Sequence, residues 1–245
     1  PGTARGYWLK AAVFHGPDRP LSVEEVPTPT PGRGQVLIRV AGCGVCHTDL
    51  HYTDHGTPTF KQPPMILGHE ISGIVEGAGE GVKGLGAGDR VVVAAVTSCG
   101  ACDACREGRE NICAHGEMLG NHIDGGFAEY VVAPAKDTFL LPDGVPLVEG
   151  SIIADAITTP YHAVVNRGRV RPGDSVVVFG CGGVGLNVIQ MAAAQGARVV
   201  AVDLSDDKLA WARKLGATAA VNPGAVERLD KELRKVTGGG ADLAF

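Results

Sequence analysis

Residues 174–197 constrain the fold of this chain more than any other stretch. They read DSVVVFGCGGVGLNVIQMAAAQGA: an apolar run, a glycine-rich turn and a helix-forming segment that ends at glycine. This order predicts a buried strand followed by a helix. The pattern continues as RVVAVD, SDDKLAWARKLGA, TAAVN, AVERLDKELRKVTGGG and ADLAF, with Ser205 as the expected N-cap of the second helix. Strands that alternate with helices predict a parallel sheet of βαβ units.

The part of the chain before residue 150 predicts a β-rich domain instead. Its segments QVLIRVAGCG, EISGIVEGAG, DRVVVAAV and FAEYVVAP are typical of strands, and Gly, Pro or Asp bound them. Residues 149–166 can form a helix, which Pro160 interrupts. We therefore expect an α/β protein with a β-rich domain over residues 1–150 and a parallel-sheet domain over residues 151–245.

The composition narrows the classes of function. The chain has 245 residues, 44% of them hydrophobic, which is enough for one large domain or two ordinary ones. The net charge of -5 is spread out without a basic stripe, so nucleic acid is not an expected partner. The apolar runs are too short to cross a bilayer, and no signal-peptide pattern opens the sequence. We expect a cytoplasmic protein, in which thiols stay reduced.

Four of the seven cysteines lie in CGACDACREGRENIC, at Cys99, Cys102, Cys105 and Cys113. Four thiolates this close in a reducing compartment predict a closed, tetrahedral structural zinc site. A ferredoxin-type cluster uses a similar start, but its fourth cysteine lies closer and precedes proline, whereas Ala114 follows Cys113 here. The remaining alternative is four unpaired surface thiols.

A second set of metal ligands lies in GVCHTDLH and GHEISG, which carry Cys46, His69 and Glu70. A thiolate, an imidazole and a carboxylate could hold an open zinc site. Taken singly, the cysteine could be buried filler and the histidine a loop residue. Cys43 and Cys46 also form a CxxC that could be redox-active, although no thioredoxin-like βαβ pattern surrounds it.

The glycine-rich turn carries G-x-G-x-x-G at Gly180, Gly182 and Gly185, between a predicted strand and a predicted helix. In that context the motif predicts a dinucleotide site, with the pyrophosphate at the helix N-terminus. Asp203 ends the next strand, where a carboxylate accepts hydrogen bonds from the adenosine ribose. It would repel the extra phosphate of NADP, and no arginine directly follows it, so NAD is the expected cofactor.

These motifs, together with GGFAEYVV, resemble in sequence order those of the zinc-dependent alcohol dehydrogenases of the medium-chain dehydrogenase/reductase family. The resemblance covers the whole chain. It implies a GroES-like catalytic domain carrying a catalytic zinc, followed by a Rossmann domain. It also implies reversible, NAD-dependent oxidation of an alcohol to an aldehyde or ketone by hydride transfer. With the four-cysteine segment, two zinc ions per chain are expected.

On the family pattern, Cys46 and His69 ligate the catalytic zinc. The third ligand lies shortly before a threonine-rich segment, where ADAITTPYHA places Asp155 instead of cysteine. Glu70 resembles a glutamate that can approach the zinc when water or substrate leaves, so it stays an alternative third ligand. Asp49 resembles the carboxylate that orients the histidine ligand.

The resemblance also assigns a proton path and the coenzyme contacts. Thr48 resembles the first relay hydroxyl, and His51 resembles the imidazole at the solvent end of the relay. Cys181, inside the glycine loop, is expected to face the coenzyme. The expected coenzyme-binding residues are His47, Thr159, Gly180, Gly182, Gly183, Val184, Gly185, Asp203 and Lys208. The histidines expected to be structural or in loops are His15, His55, His115, His122 and His162.

Several properties stay open. The family's chains run well past this length, so the Rossmann domain is expected to be incomplete at its C-terminus, and the activity of these 245 residues alone is undecided. The full-length enzyme that such a chain would belong to is expected to be a homodimer or homotetramer with a small alcohol or carbonyl substrate. Asp155 in place of cysteine hints at a bulkier substrate, such as a polyol or a cyclic hydroxyacyl-CoA. An inactive protein that only binds zinc and NAD is the third alternative.

Overall fold

The computed structural model describes residues 8–245, which form two compact units. The first ends at Asp155, and the second runs from Ala156 to Phe245. Each unit has its own sheet and its own buried apolar cluster. Within residues 8–245, no helix is both long enough and apolar enough to cross a membrane.

The first unit is built mainly from antiparallel strands. They are β1 (Trp8–Phe14), β2 (Ser22–Pro27), β3 (Gln35–Gly44), β4 (Met65–Ile66), β5 (Glu70–Ala78), β6 (Arg90–Val93), β7 (Val96–Thr97), β8 (Glu117–Met118), β9 (Tyr130–Pro134) and β10 (Thr138–Leu140). A five-stranded sheet has the order β10-β6-β5-β3-β9, a smaller one has the order β2-β1-β4, and β7 pairs with β8. Each of the four predicted strand segments contains a strand, and β3 matches QVLIRVAGCG from end to end.

The core of this unit lies on one face of the five-stranded sheet. Ile38 from β3 and Ile71 from β5 are fully buried there, and each contributes about 1.5–3 kcal/mol by leaving water. Two short helices, α1 (His47–Thr53) and α2 (Asp103–Arg106), connect strands. A 3-10 helix, Glu149–Ala154, packs Ala154 against side chains of the sheet region, which fixes the end of the unit.

The second unit contains the predicted parallel sheet. Its elements are α3 (Thr158–Tyr161), β11 (Ser175–Phe179), α4 (Gly183–Ala194), β12 (Arg198–Val202), α5 (Asp206–Lys214), β13 (Ala217–Val221), α6 (Leu229–Thr237) and β14 (Leu243–Ala244). The strand order is β13-β12-β11-β14, and all three pairings are parallel. After β11, the chain adds β12 and β13 on one side of that strand and then returns to add β14 on the other side. Such a reversal opens a crevice at the carboxyl end of β11, where the glycine loop begins.

The predicted helix over residues 149–166 is wrong as a single element. The structure has the 3-10 helix Glu149–Ala154, then α3, then a π-helical segment His162–Gly168. Asp155, with φ -138° and ψ -60°, leaves the helical region and separates the first two. Pro160 cannot donate a backbone hydrogen bond, so it is tolerated only within the first turn of α3.

The third predicted helix of this unit begins later than expected. The segment AVERLDKELRKVTGGG starts with the end of a 3-10 turn, Pro223–Ala225, and Arg228 is extended before α6 begins. The helix ends at Gly238, whose φ of 75° lies in the left-handed region that glycine adopts at little cost.

Candidate functional site

Three side chains from separate segments of the first unit meet at one point. Cys46 is the N-cap of α1, His69 directly precedes β5, and Asp155 follows the 3-10 helix. Asp155 Oδ2 lies 3.5 Å from His69 Nε2 and 3.8 Å from Cys46 Sγ. The possible ligand atoms of all three residues lie within 4.8 Å of one another. The fold therefore brings the predicted ligands together.

His69 is the most deeply buried member of this group, with 1% of its surface exposed. Neither ring nitrogen has a hydrogen-bond partner within the described part of the chain. Leaving such a group unsatisfied costs about 1–3 kcal/mol, so the ring is placed for a partner that the chain does not supply. Burial lowers the pKa of His69, but Asp155 and Cys46 outweigh it and raise the pKa to about 10. The surroundings thus favour a positive charge here, carried by a proton or a metal ion.

The distances fit a zinc ion. Zinc bonds of about 2.0–2.1 Å to nitrogen and oxygen and about 2.3 Å to sulfur, in a tetrahedron, separate nitrogen from oxygen by about 3.4 Å and sulfur from oxygen by about 3.6 Å. The observed separations are 3.5 and 3.8 Å. Three protein ligands leave the fourth tetrahedral position open, which is characteristic of catalytic zinc.

Glu70, the alternative third ligand, is not in this group among the residues that the structure describes. Its buried side chain lies beside Gly44, its partner in the pairing of β3 with β5. A Cβ at Gly44 would come within 1.9 Å of Glu70 Oε2, so glycine is needed to make room for the carboxylate. The geometry favours Asp155 over Glu70 as the third ligand.

Asp49 links the backbone of the two ligand segments. Its carboxylate accepts hydrogen bonds from the N–H of Cys46 at 2.9 Å and from the N–H of Gly68 at 3.3 Å. Its Oδ1 is 3.8 Å from His69 Nδ1, while the other ring nitrogen faces Asp155. Burial raises the pKa of Asp49, whereas the backbone donors lower it. A carboxylate near the second nitrogen is the usual device that orients a metal-binding histidine, so the geometry supports the expected role of Asp49.

The residues expected in the proton path lie on α1. Thr48 Oγ1 is 3.6 Å from Cys46 Sγ, at the edge of the ligand group. His47 and His51 are exposed, with ring centroids 5.0 Å apart. His55, expected to lie in a loop, also contacts His51: their Nδ1 atoms are 3.0 Å apart. This contact was not predicted from the sequence, and the four-residue spacing of the two histidines is the signal that could have indicated it.

The four-cysteine segment forms a second cluster in the same unit. The measured Sγ–Sγ distances are 3.9 Å for Cys99–Cys105, 3.5 Å for Cys102–Cys105 and 3.8 Å for Cys102–Cys113. They exceed the disulfide bond length of about 2.05 Å, and all four thiols are free. A tetrahedron with Zn–S bonds of about 2.3 Å has edges of about 3.8 Å, so the sulfurs enclose the space for one zinc ion.

Backbone groups support these sulfurs. Cys99 Sγ accepts two backbone N–H groups, and Cys113 Sγ accepts two more. Such donors, first that of Cys105, lower the pKa of Cys102 to about 6, whereas burial raises the pKa of Cys105 to about 12. A bound cation is needed to keep four adjacent thiolates ionised. Since zinc here would have no open position, this centre can hold a loop in shape but cannot bind substrate.

In the second unit, the glycine loop joins the carboxyl end of β11 to α4. Gly180 has φ 91°, and Gly182 is the N-cap of α4. A Cβ at Gly185 would lie 1.8 Å from Gly180 O, so packing requires glycine there. A Cβ at Gly182 or Gly183 would meet no atom within 4 Å. These two glycines leave open space at the start of a helix, which fits a dinucleotide pyrophosphate.

Asp203 lies beside this loop, directly after β12. Its carboxylate accepts the N–H of Cys181 at 2.7 Å and the N–H of Ser205 at 2.8 Å. These donors lower the pKa of Asp203, and its oxygens keep lone pairs for ligand hydroxyls. Ser205 is the N-cap of α5, as predicted, and accepts the N–H of Lys208 at 3.4 Å. The other expected coenzyme contacts in this unit, Thr159 on α3 and Val184 on α4, have exposed side chains.

The prediction that Cys181 faces the coenzyme is wrong. Its side chain is 0% exposed and packs in the apolar core of the second unit. Its N–H bonds to Asp203, its side chain points into the core, and burial raises its pKa. Burial also raises the pKa of Cys43 to about 12, which does not fit a redox-active CxxC.

Comparisons with known proteins identify the family. The family "Alcohol dehydrogenase GroES-like domain" matches residues 32–143, and the family "Zinc-binding dehydrogenase" matches residues 183–245. An alcohol dehydrogenase of Moraxella sp. (strain TAE123) is 42% identical over 229 residues, covering 92% of this chain and 68% of that protein. An alcohol dehydrogenase of Geobacillus stearothermophilus is 43% identical over 216 residues, covering 88% of this chain and 64% of that protein.

A solved structure described as an NAD-dependent alcohol dehydrogenase is 38% identical, with a TM-score of 0.90, and the match covers 96% of this chain and 69% of that one. The chain thus spans about two thirds of the length of these relatives. The two family matches, the sequence identity and the two groups of candidate zinc ligands lead to one conclusion. The chain belongs to the zinc-dependent alcohol dehydrogenases of the medium-chain dehydrogenase/reductase family.

Proposed function

We propose that the protein reversibly oxidises an alcohol to an aldehyde or ketone, with NAD as the hydride acceptor and a zinc ion held by Cys46, His69 and Asp155. The buried His69 ring carries this proposal, because neither of its nitrogens has a hydrogen-bond partner among residues 8–245, while a thiol and a carboxylate lie beside it. A three-ligand group with an open fourth position suits substrate binding rather than structural support.

Zinc bound by these residues supplies a Lewis acid that polarises the substrate hydroxyl and stabilises negative charge on its oxygen. NAD supplies the hydride acceptor. The chain's own residues prepare the site: Asp49 orients His69, and Thr48 beside Cys46 accepts the substrate hydroxyl proton as it gives up its own. The exposed His51 then passes that proton to solvent, which suits a side chain whose usual pKa is near neutral.

The glycine loop and Asp203 bind the coenzyme in this proposal. The open space at Gly182 and Gly183 takes the pyrophosphate. The family resemblance also assigns His47 of the first unit to coenzyme binding. Asp203 is held ionised beside the loop, so it accepts ribose hydroxyls and repels a ribose phosphate. NAD is therefore preferred to NADP. Thr159, Val184 and Lys208 complete the coenzyme site, the first two at the nicotinamide.

The second candidate keeps the same chemistry with a bulkier substrate. Asp155 replaces the family's cysteine, which favours a polyol or a cyclic hydroxyacyl-CoA over a small primary alcohol. The test is a panel of primary, secondary, cyclic and polyhydroxy alcohols given to zinc-saturated protein with NAD, with NADH followed by its absorbance. NADH formation with one class supports the proposal and identifies the substrate. Bound zinc and NAD without turnover on any of them would instead indicate an inactive binding protein.

A further inference from the structure

Three histidines outside both cysteine-containing centres line one side of α1 and the residues after it. His47, His51 and His55 follow one another at four-residue intervals, and all three are exposed. Ring centroids of successive pairs are 5.0 and 5.1 Å apart. Residues four apart lie next to each other on a helix surface, which explains the contact of His47 with His51. His55 lies just beyond the helix, which ends at Thr53 with Asp54 as its C-cap.

The closest pair in this cluster is His51 and His55. Their Nδ1 atoms lie 3.0 Å apart, so one ring donates a proton to the lone pair of the other. Two metal–imidazole bonds of about 2.1 Å that meet at a right angle place their nitrogens about 3.0 Å apart. Right angles are found in the octahedral and square-planar geometries of nickel and copper. A cation bound to both Nδ1 atoms takes the place of the shared proton, with each ring turned so that its lone pair faces the ion.

We propose that His51 and His55 chelate a divalent transition-metal cation of the Ni²⁺, Cu²⁺ or Zn²⁺ type, in a third and exchangeable site. Imidazole is a preferred ligand of these ions, and the 3.0 Å separation of the two Nδ1 atoms lets both bind one ion. His47, whose ring centroid is 6.5 Å from that of His55, is near enough to add a third ligand by side-chain rotation. The exposed Asp54 at the end of α1 adds negative charge.

This site should bind its ion more weakly than the two zinc centres bind theirs. Both imidazoles are exposed, so water completes the coordination shell and the ion exchanges readily. One consequence rests on the proposed function: an ion on His51 blocks the proton path and inhibits alcohol oxidation while the catalytic zinc stays bound. Metal binding itself does not depend on that role.

Ni²⁺ alone, titrated calorimetrically into zinc-saturated protein, tests the site. We expect one Ni²⁺ per chain in the wild type without release of zinc, and none in His55→Ala. His15→Ala is the matched control, since it removes an exposed imidazole elsewhere in the unit and should keep the site. Thermal melting of both variants checks that they are folded, and zinc analysis after titration checks for exchange.

Three results would overturn the proposal: no Ni²⁺ uptake by the wild type, equal uptake by folded His55→Ala, or uptake matched by released zinc. Activity is measured separately. Ni²⁺ that binds at His55 without slowing alcohol oxidation leaves the metal site standing but contradicts the proton path through His51. A protein with no dehydrogenase activity, in turn, leaves the Ni²⁺ result unaffected.

Discussion

Asp155 Oδ2 lies 3.5 Å from His69 Nε2, although the two residues belong to distant segments of the chain. Asp155 is positioned by its neighbour Ala154, which packs with Val92 and Leu141 in a buried cluster. The contact adds a third ligand to the pair formed by Cys46 and His69. It therefore decides whether this site can hold a zinc ion with one position left open.

Replacing one ligand of the four-cysteine cluster should cost stability first. In Cys113→Ser we expect loss of one zinc per chain and a melting temperature lower by about 5 to 10 °C. The variant should lose a few kcal/mol of unfolding free energy, and each kcal/mol corresponds to about 2–4 °C in a chain of this size. Cys43→Ser, outside both ligand sets, is the control for zinc content. Metal analysis and a melting curve measure both effects. Unchanged zinc content in Cys113→Ser would contradict the structural site.

Two glycines of the dinucleotide loop should be needed for different reasons, Gly185 for packing and Gly182 for coenzyme binding. Gly185→Ala places a Cβ 1.8 Å from Gly180 O, so we expect a destabilised or unfolded second unit. Gly182→Ala meets no protein atom within 4 Å, so its melting temperature should stay within about 2 °C of the wild type, as for a surface substitution. Its NAD affinity should nevertheless fall, because the methyl group enters the pyrophosphate space. Normal NAD titration by Gly182→Ala would show that the open space is not the coenzyme site.

Coenzyme preference should depend on Asp203. The double variant Asp203→Gly with Leu204→Arg removes a carboxylate and adds a cation at a residue that is 75% exposed. We expect the ratio of kcat/KM for NADP to that for NAD to rise by about 10- to 100-fold, the equivalent of one charged hydrogen bond. Leu204→Arg alone is the control. A wild-type protein that already prefers NADP in initial-rate assays would refute the charge argument.

Asp49 should act on zinc through His69. In Asp49→Asn the carboxylate near His69 Nδ1 is lost, and we expect zinc affinity at the open site to fall about 10- to 100-fold. Asp54→Asn, an exposed carboxylate at the end of the same helix, should leave that affinity unchanged. Competition with a chelator measures both affinities. Equal zinc retention in the two variants would mean that Asp49 is a structural residue.

Features that are local in the sequence could be predicted well. The cysteine cluster lies within 99–113, and the glycine loop with its strands and helices follows short-range patterns, so both were found from the residues alone. The Ser205 N-cap is likewise local. The cysteine cluster is identified by its spacing in a chain with reduced thiols, and the glycine loop by the strand and helix on either side of it. Neither depends on how distant segments pack.

Features that depend on long-range packing could not be predicted. The sequence left Asp155 and Glu70 as alternatives, because only the pairing of β3 with β5 places Glu70 beside Gly44, away from the ligand group. The inward side chain of Cys181 depends on how residues from β11, α4 and β12 pack into one core. The break at Asp155 also depends on packing that no local propensity describes.

Metal content and turnover of Asp155→Ala test the central claim most directly. If Asp155 is the third ligand, the variant should lose one zinc per chain and alcohol-dependent NADH formation, yet keep the structural zinc and NAD binding. Asp155→Cys, which restores a zinc ligand, should regain the metal. A folded Asp155→Ala protein that keeps both zinc ions and near-normal turnover would contradict the account and leave Glu70 or another group as the third ligand.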